Sequence, residues 1–253
     1  MIDFGRWNSC SNVTSYVAGL GITIINYAIA THYDADHIGC LDDLATNGVV
    51  IGACLDRGGA GDTQTYADYA ATCAGKRQTA TKGQIVPLGQ SGGFSINLNV
   101  VDLNGAGVNT SEENALSLVL KLTYGTFDHE FGGDLTGQSP DIESIVGPSV
   151  GDVEVYKVHH HGSSTSTNDN WLNATTPEVG IISVGNNAFG HPTSAVLSRL
   201  HNQGVTTYWT NAGSGVAAQP GLDYIGGSIV IEALPNTGYS VTGSGFLHFY
   251  SND

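Results

Sequence analysis

Apolar residues recur along this chain in short runs, and the runs fall into two rhythms. Residues 22–30, 49–55, 153–158 and 179–184 are nearly continuous apolar stretches of strand length. Such runs read as strands buried on both faces. Elsewhere the pattern alternates: Phe94, Ile96, Leu98 and Val100 fall on one side of a half-buried strand, and residues 116–124 repeat the pattern. Residues 205–209, 228–233 and 246–250 predict later strands. Helical stretches are expected at 38–44, 63–74 and 193–202, the last entered through Pro192. Strands precede helices in both halves, which predicts an α/β protein: two mixed sheets flanked by helices in an αβ/βα sandwich. No repeat, linker or low-complexity tail divides it, so residues 1–253 are expected to form a single domain.

Polar residues with metal-binding chemistry cluster where these runs end. His32-Tyr33-Asp34-Ala35-Asp36-His37 places two imidazoles and two carboxylates between the first strand and a helix. Alternate side chains of such a loop can turn to two neighbouring ions. The competing reading of Asp36 is a simple helix cap. Gly132-Gly133-Asp134 follows the strand at 116–124 and a short turn, and its glycines permit close backbone approach. His159-His160-His161-Gly162-Ser163 follows the strand at 153–158. Three ligand-bearing segments at three strand ends can converge on one rim of a sheet, where open α/β folds place their sites.

In combination and order these segments resemble the metallo-β-lactamase superfamily, whose signature is HxHxDH followed by a bridging Asp and a later His. The nearest subgroup is the C-terminal hydrolase domain of bacterial competence (DNA-uptake) channel proteins. The chain carries its pattern as His32-Tyr33-Asp34-Ala35-Asp36-His37, Asn114-Ala115-Leu116-Ser117-Leu118-Val119-Leu120, Gly133-Asp134, Lys157 to Ser163, and Gly190-His191-Pro192. It also resembles the catalytic domain of a cell-wall phosphorylcholine esterase. The match extends over residues 2–216. Family members open with one or two strands before an IDxG strand. Here Ile2-Asp3-Phe4-Gly5 stands at the start, so the first hairpin is expected to be missing and the sheet edge open to pairing with a partner chain or a second copy.

The resemblance implies a binuclear metal-dependent hydrolase with two divalent ions, Zn or Mn. His32, Asp34 and Asp134 would hold the first, and Asp36, His37 and the bridging Asp134 the second. His160 or His161 would complete the set, with His160 preferred by position. Two ions roughly 3.5–4 Å apart activate a shared water for attack, and Asp36 can orient it or take its proton. Asp34 stands where the wider superfamily has histidine, which shifts preference towards hard ions and favours phosphoesters over lactams. The expected activity is a phosphodiesterase, either nuclease-like or acting on a smaller or cell-wall phosphodiester. Lactam, lactone or thioester hydrolysis, and an inactive binding module, are the alternatives. His191 is expected to donate to substrate or a ligand, Asn114 to lie near the metals, and Ser163 to contact phosphate. His129 reads as a surface residue beside a turn and His159 as structural.

Composition narrows the partners. The formal charge is −15, with 8 Lys and Arg against 23 Asp and Glu. That disfavours a standing grip on nucleic acid, although a metal pair adds roughly four positive charges locally. No run approaches the ~18 apolar residues of a membrane span. Four cysteines allow three pairings, of which Cys10–Cys40 and Cys54–Cys73 are favoured. Paired cysteines, few lysines and an acidic balance point to a secreted or periplasmic protein, although no signal peptide opens the chain.

Overall fold

The computed structural model describes residues 1–252. A short N-terminal segment leads into α1 (Cys10–Gly19) and β1 (Ile24–Ile29). The ligand loop follows, then α2 (Ala35–Ile38), α3 (Leu41–Thr46), β2 (Val50–Asp56), α4 (Gln64–Thr72) and β3 (Arg77–Thr79). These three strands form a parallel sheet in the order β1-β2-β3. The helices cover its outer face through a core built on Phe4, Ile25, Ile38, Leu41, Leu44 and Tyr69.

The second sheet has eight strands. It runs from β4 (Ile85–Ser91) through β5 (Phe94–Asp102), β6 (Val119–Tyr124) and β7 (Phe127–Phe131), all antiparallel. After α5 (Glu143–Val150) it turns parallel with β8 (Val155–Lys157). Next come α6 (Asp169–Thr175), β9 (Val179–Ile182), α7 (Ser194–Asn202), β10 (Thr206–Trp209) and β11 (Asp223–Ile225). The helices of this half pack on a core centred on Trp171, Tyr156, Leu172, Val196, Leu200 and Trp209. Finally β12 (Val230–Leu234), β13 (Gly238–Gly243) and β14 (Phe246–Ser251) form a separate antiparallel sheet. It covers Val155, Val179 and Tyr208 from the inner side. Helices thus flank a three-stranded parallel sheet and an eight-stranded mixed sheet, the expected α/β arrangement, with the antiparallel sheet of β12 to β14 added to it.

Several local expectations are corrected. Cys10 opens a helix rather than lying in a loop. Ile2 to Gly5 is not a full strand: it makes one parallel bridge, Ile2 to Ile29, and hydrogen bonds such as Asp3 N to the Ile29 carbonyl. The turn expected before Gly132 is a turn followed by a strand, β7, in which Phe127 and Glu130 bury on opposite faces while Lys121 and Asp128 pair across the ladder. His129 therefore belongs to a strand that faces an internal cavity, not to the surface. Cysteines pair as Cys10–Cys40 and Cys54–Cys73, with Cα atoms 5.1 and 5.8 Å apart. Both bridges brace the first, smaller half. Among the described residues, no helix is long and apolar enough to cross a membrane.

Candidate metal centre

The ligand loop leaves β1 at Thr31, which is almost fully buried. Its backbone N–H donates to Asp3 Oδ1 at 2.8 Å and its hydroxyl to Asp3 Oδ2 at 2.9 Å. The same carboxylate accepts from His37 Nδ1 at 2.7 Å. One carboxylate thus ties both ends of the loop and fixes which nitrogen of His37 is left to point inwards. Thr31 Oγ1 also lies 3.1 Å from His32 Nδ1, so His32 likewise turns its Nε2 inwards. From outside, Arg57 pairs with Glu113, whose Oε1 accepts the Tyr33 N–H at 2.8 Å, while the Tyr33 hydroxyl donates to the Gly58 carbonyl.

Asp134 arrives through two glycines that have no room for a side chain. A Cβ on Gly132 would lie 2.3 Å from His159 Nε2, and one on Gly133 2.4 Å from Thr31 Oγ1, with φ at +57°. This crowding puts Asp134 against His37 Nε2, 3.2 Å from its Oδ1. His160 and His161 follow β8 in two consecutive left-handed conformations, φ +50° and +56°. Non-glycine residues adopt these at a cost of order 1–3 kcal/mol each, and such strain concentrates at functional sites. The double turn sends both imidazoles to Asp134. His160 Nε2 lies 3.8 Å and His161 Nε2 3.5 Å from Asp134 Oδ2, and His161 Nε2 is also 3.4 Å from Asp36. The sequence preferred His160, yet both reach the cluster, and His161 is the nearer to two carboxylates.

Unpartnered atoms test whether this pocket suits cations. His32 Nε2, His37 Nε2, His161 Nε2 and Asp134 Oδ1 are all buried without a hydrogen-bond partner. Each such atom costs roughly 1–3 kcal/mol if left unsatisfied, so native proteins avoid them. With Asp36 these four form two donor sets, His32–His37–Asp134 and Asp36–His37–His161, each with its atoms within 4.8 Å of one another. Imidazoles held as inward acceptors, beside carboxylates, fit divalent cations. Asp34 extends the first set: its carboxylate is 3.6 Å from His32 Nε2.

The electrostatics agree. Burial alone would raise the Asp134 carboxyl, but His37 and His161 carry it well below the usual range. Burial would likewise raise Asp36, and the neighbouring imidazoles of His161 and His37 reverse it. Burial lowers His160 and His191.

The remaining expected residues lie around this cluster. His191 sits edge-on to His160, ring centroids 5.5 Å apart. Ser163 Oγ is 3.0 Å from Thr165 Oγ1, which lies 3.5 Å from His160 Nδ1. Asn114 sits in a short turn before β6, its Oδ1 buried and unpartnered. His159 is structural, as expected: its ring is fully buried between Glu143 at 2.7 Å and Glu130 at 3.2 Å. Burial alone would lower His159, but the two carboxylates bring it up to about 9. Sequence reasoning missed Asp3 as a positioning group. Its partner His37 lies 34 residues on, so no local pattern signalled the role.

The converging donors are those that the chain's resemblance to the sequence pattern of the metallo-β-lactamase superfamily leads one to expect at such a site. The particular likeness is to bacterial competence proteins. The chain is 37% identical over 97 residues to competence protein ComA of Neisseria gonorrhoeae, covering 37% of this chain and 14% of that protein. It is 25% identical over 202 residues to ComE operon protein 3 of Bacillus subtilis, covering 78% of this chain and 25% of that protein. The chain thus spans a quarter or less of the length of these relatives. No family model matches. Among solved structures, a diphosphatase of the PhnP family aligns with 99% of this chain and 79% of its own, at 11% identity and a TM-score of 0.45.

Proposed function

We propose that this protein is a metal-dependent phosphodiester hydrolase with two adjacent cation positions. The observation that carries the proposal is the convergence of buried, unpartnered His32 Nε2, His37 Nε2, His161 Nε2 and Asp134 Oδ1. His32, Asp34 and Asp134, with His160 beside them, would hold one cation. Asp36, His37, His161 and the shared Asp134 would hold the other. Bound there, a cation pair supplies Lewis acidity and an activated water at neutral pH. The protein does the rest. Asp3 holds His37 in the tautomer that offers Nε2, and His159 anchors the turn that presents His160 and His161. Asp36 is 44% exposed at its side chain, so it can reach the attacking water and take its proton. His191, against His160, is placed to hold a phosphoryl oxygen or protonate a departing alkoxide. Asp34 places a carboxylate where a lactamase-type set has an imidazole, which favours hard cations and anionic ester substrates over lactams.

The disulfides and the acidic composition suit an oxidising compartment, outside the cytoplasm. With a charge of −15 the surface offers no basic track for a nucleic-acid backbone. The test is hydrolysis of bis(p-nitrophenyl) phosphate beside a chromogenic β-lactam, each titrated with manganese and with zinc. Diester cleavage that needs the metal and disappears in Asp134→Ala, with the lactam untouched, is expected. Lactam turnover without diester cleavage would replace this reading with acyl hydrolysis.

A further inference from the structure

Two depressions meet at Asp36 and His161. One is an internal, largely apolar cavity of about 730 Å³ between the sheets. The other is a groove of about 890 Å³ that leaves the site between α1 and the loop before His191. The composition of this groove differs from that of the surface around it. In a chain with 31 charged residues, its only charged side chains are Asp3, Arg6 and Asp36, and Asp3 is consumed by His37 and Thr31. Its polar lining is otherwise amide, hydroxyl and imidazole. Asn12, Asn186 and Ser228 line it with side chains that make no hydrogen bond within the described residues. Two aromatic rings flank it, Tyr16 at 51% exposure and Phe189 at 75%. The Phe189 ring is stacked on His191, 5.7 Å away, so it extends the site outwards.

We propose that this groove is a subsite for the neutral, polyhydroxylated part of the substrate: an oligosaccharide carried on one side of a single phosphodiester. This rests on the phosphodiesterase reading and specifies its substrate class. A hydroxyl both donates and accepts, and a free carboxamide offers both functions in one plane. Exposed aromatic faces pack against the C–H faces of sugar rings, burying apolar area without needing charge. A polyanion is excluded by the same lining, because phosphate tracks need several cations and single-stranded nucleic acid needs them beside its stacking rings. Arg6 alone does not make such a track.

Three p-nitrophenyl phosphodiesters with one leaving group test this: those of methanol, of a neutral N-acetylglucosamine trisaccharide, and of the oligonucleotide dT4. With manganese-loaded protein, the trisaccharide ester is expected to exceed the methyl ester at least tenfold in kcat/KM, mostly through KM. Phe189→Ala and the double variant Asn12→Ala/Asn186→Ala should bring that ratio close to one. A ratio near one in the wild type, a ratio unmoved by both variants, or a tenfold preference for the dT4 ester would overturn the subsite. If the wild type cleaves none of the three, the phosphodiesterase reading fails. The groove is then read by titration calorimetry with the free trisaccharide. Binding that weakens at least fivefold in Phe189→Ala upholds it, and no binding overturns it too.

Discussion

Asp3 and His37 stand 34 residues apart in sequence and 2.7 Å apart in space, carboxylate oxygen to Nδ1. Burial alone would raise the Asp3 carboxyl, but His37 and His32 hold it low, so it stays ionised and accepts the Nδ1 proton. In the neutral ring the opposite nitrogen of His37 is then the acceptor, which is what a cation requires. Asp3→Asn keeps the shape but lets the amide donate or accept, so the tautomer is no longer fixed. The variant is expected to bind manganese or zinc roughly 10–100-fold more weakly, with little change in melting temperature. Metal titration by calorimetry, beside a thermal melt, checks this, and unchanged affinity would return Asp3 to a purely structural role.

The bridges Cys10–Cys40 and Cys54–Cys73 close spans of 30 and 19 residues. Each is expected to contribute about 3 kcal/mol through the unfolded chain. Reduction should therefore lower the melting temperature by many degrees. Thiol titration of the denatured, unreduced protein should find no free thiols, and a count of four would remove the prediction's basis.

His159 is clamped by Glu143, which also accepts the backbone N–H groups of Thr167 and Asn168 at 2.6 and 2.8 Å. Glu143→Ala leaves His159 Nδ1 and these amides without their partner, although Glu130 still meets His159 Nε2. A loss of about 3 kcal/mol or more in denaturant unfolding is expected. Because His159 precedes the strained His160–His161 turn, metal affinity should fall with it. Glu143→Gln, which keeps the amide contacts, should recover part of both. Equal losses in the two variants would show that charge, not the contact geometry, holds the turn.

His129 faces the apolar cavity with Nε2 buried and unpartnered. Burial, helped by the charge of Lys157, holds its pKa down at about 3. An unfolded histidine titrates near ~6.5, so between these values the unfolded chain binds a proton that the folded chain does not. Stability is therefore fully present above ~6.5 and falls as the pH drops, by up to about 1.4 kcal/mol per pH unit. His129→Phe should flatten that dependence between pH 6.5 and 5. Parallel wild-type and variant stability curves would mean that His129 titrates normally.

Much of this was legible in the sequence, for identifiable reasons. The buried strands announced themselves as continuous apolar runs, and the ligand loops as polar clusters directly after them. The disulfide pairing was only favoured among three, from Cys54 and Cys73 bracketing a loop and a helix-like segment. The strand holding His129 stayed hidden, since Phe127-Asp128-His129-Glu130-Phe131 buries Glu130 completely and pairs that carboxylate with His159. A buried acid inverts the apolar–polar alternation that marks a strand. Asp3 was opaque for a related reason: its role depends on a partner 34 residues away, and local pattern carries no such information. The choice between His160 and His161 was equally unreadable, because two successive left-handed residues defeat any argument from alternation.

The donors around Asp134 come from two sheets that meet across one shared core, Ile29 and Leu55 on one side and Leu98, Val100 and Leu120 on the other. Asp3, His32, Asp34, Asp36 and His37 belong to the cross-linked three-stranded half, while Asp134, His160 and His161 belong to the eight-stranded half. Neither half holds a full set. The donor set is accordingly a report on docking: on the proposed function, a nascent or nicked chain whose two sheets have not met would be chemically silent, and activity would appear only when that interface closes.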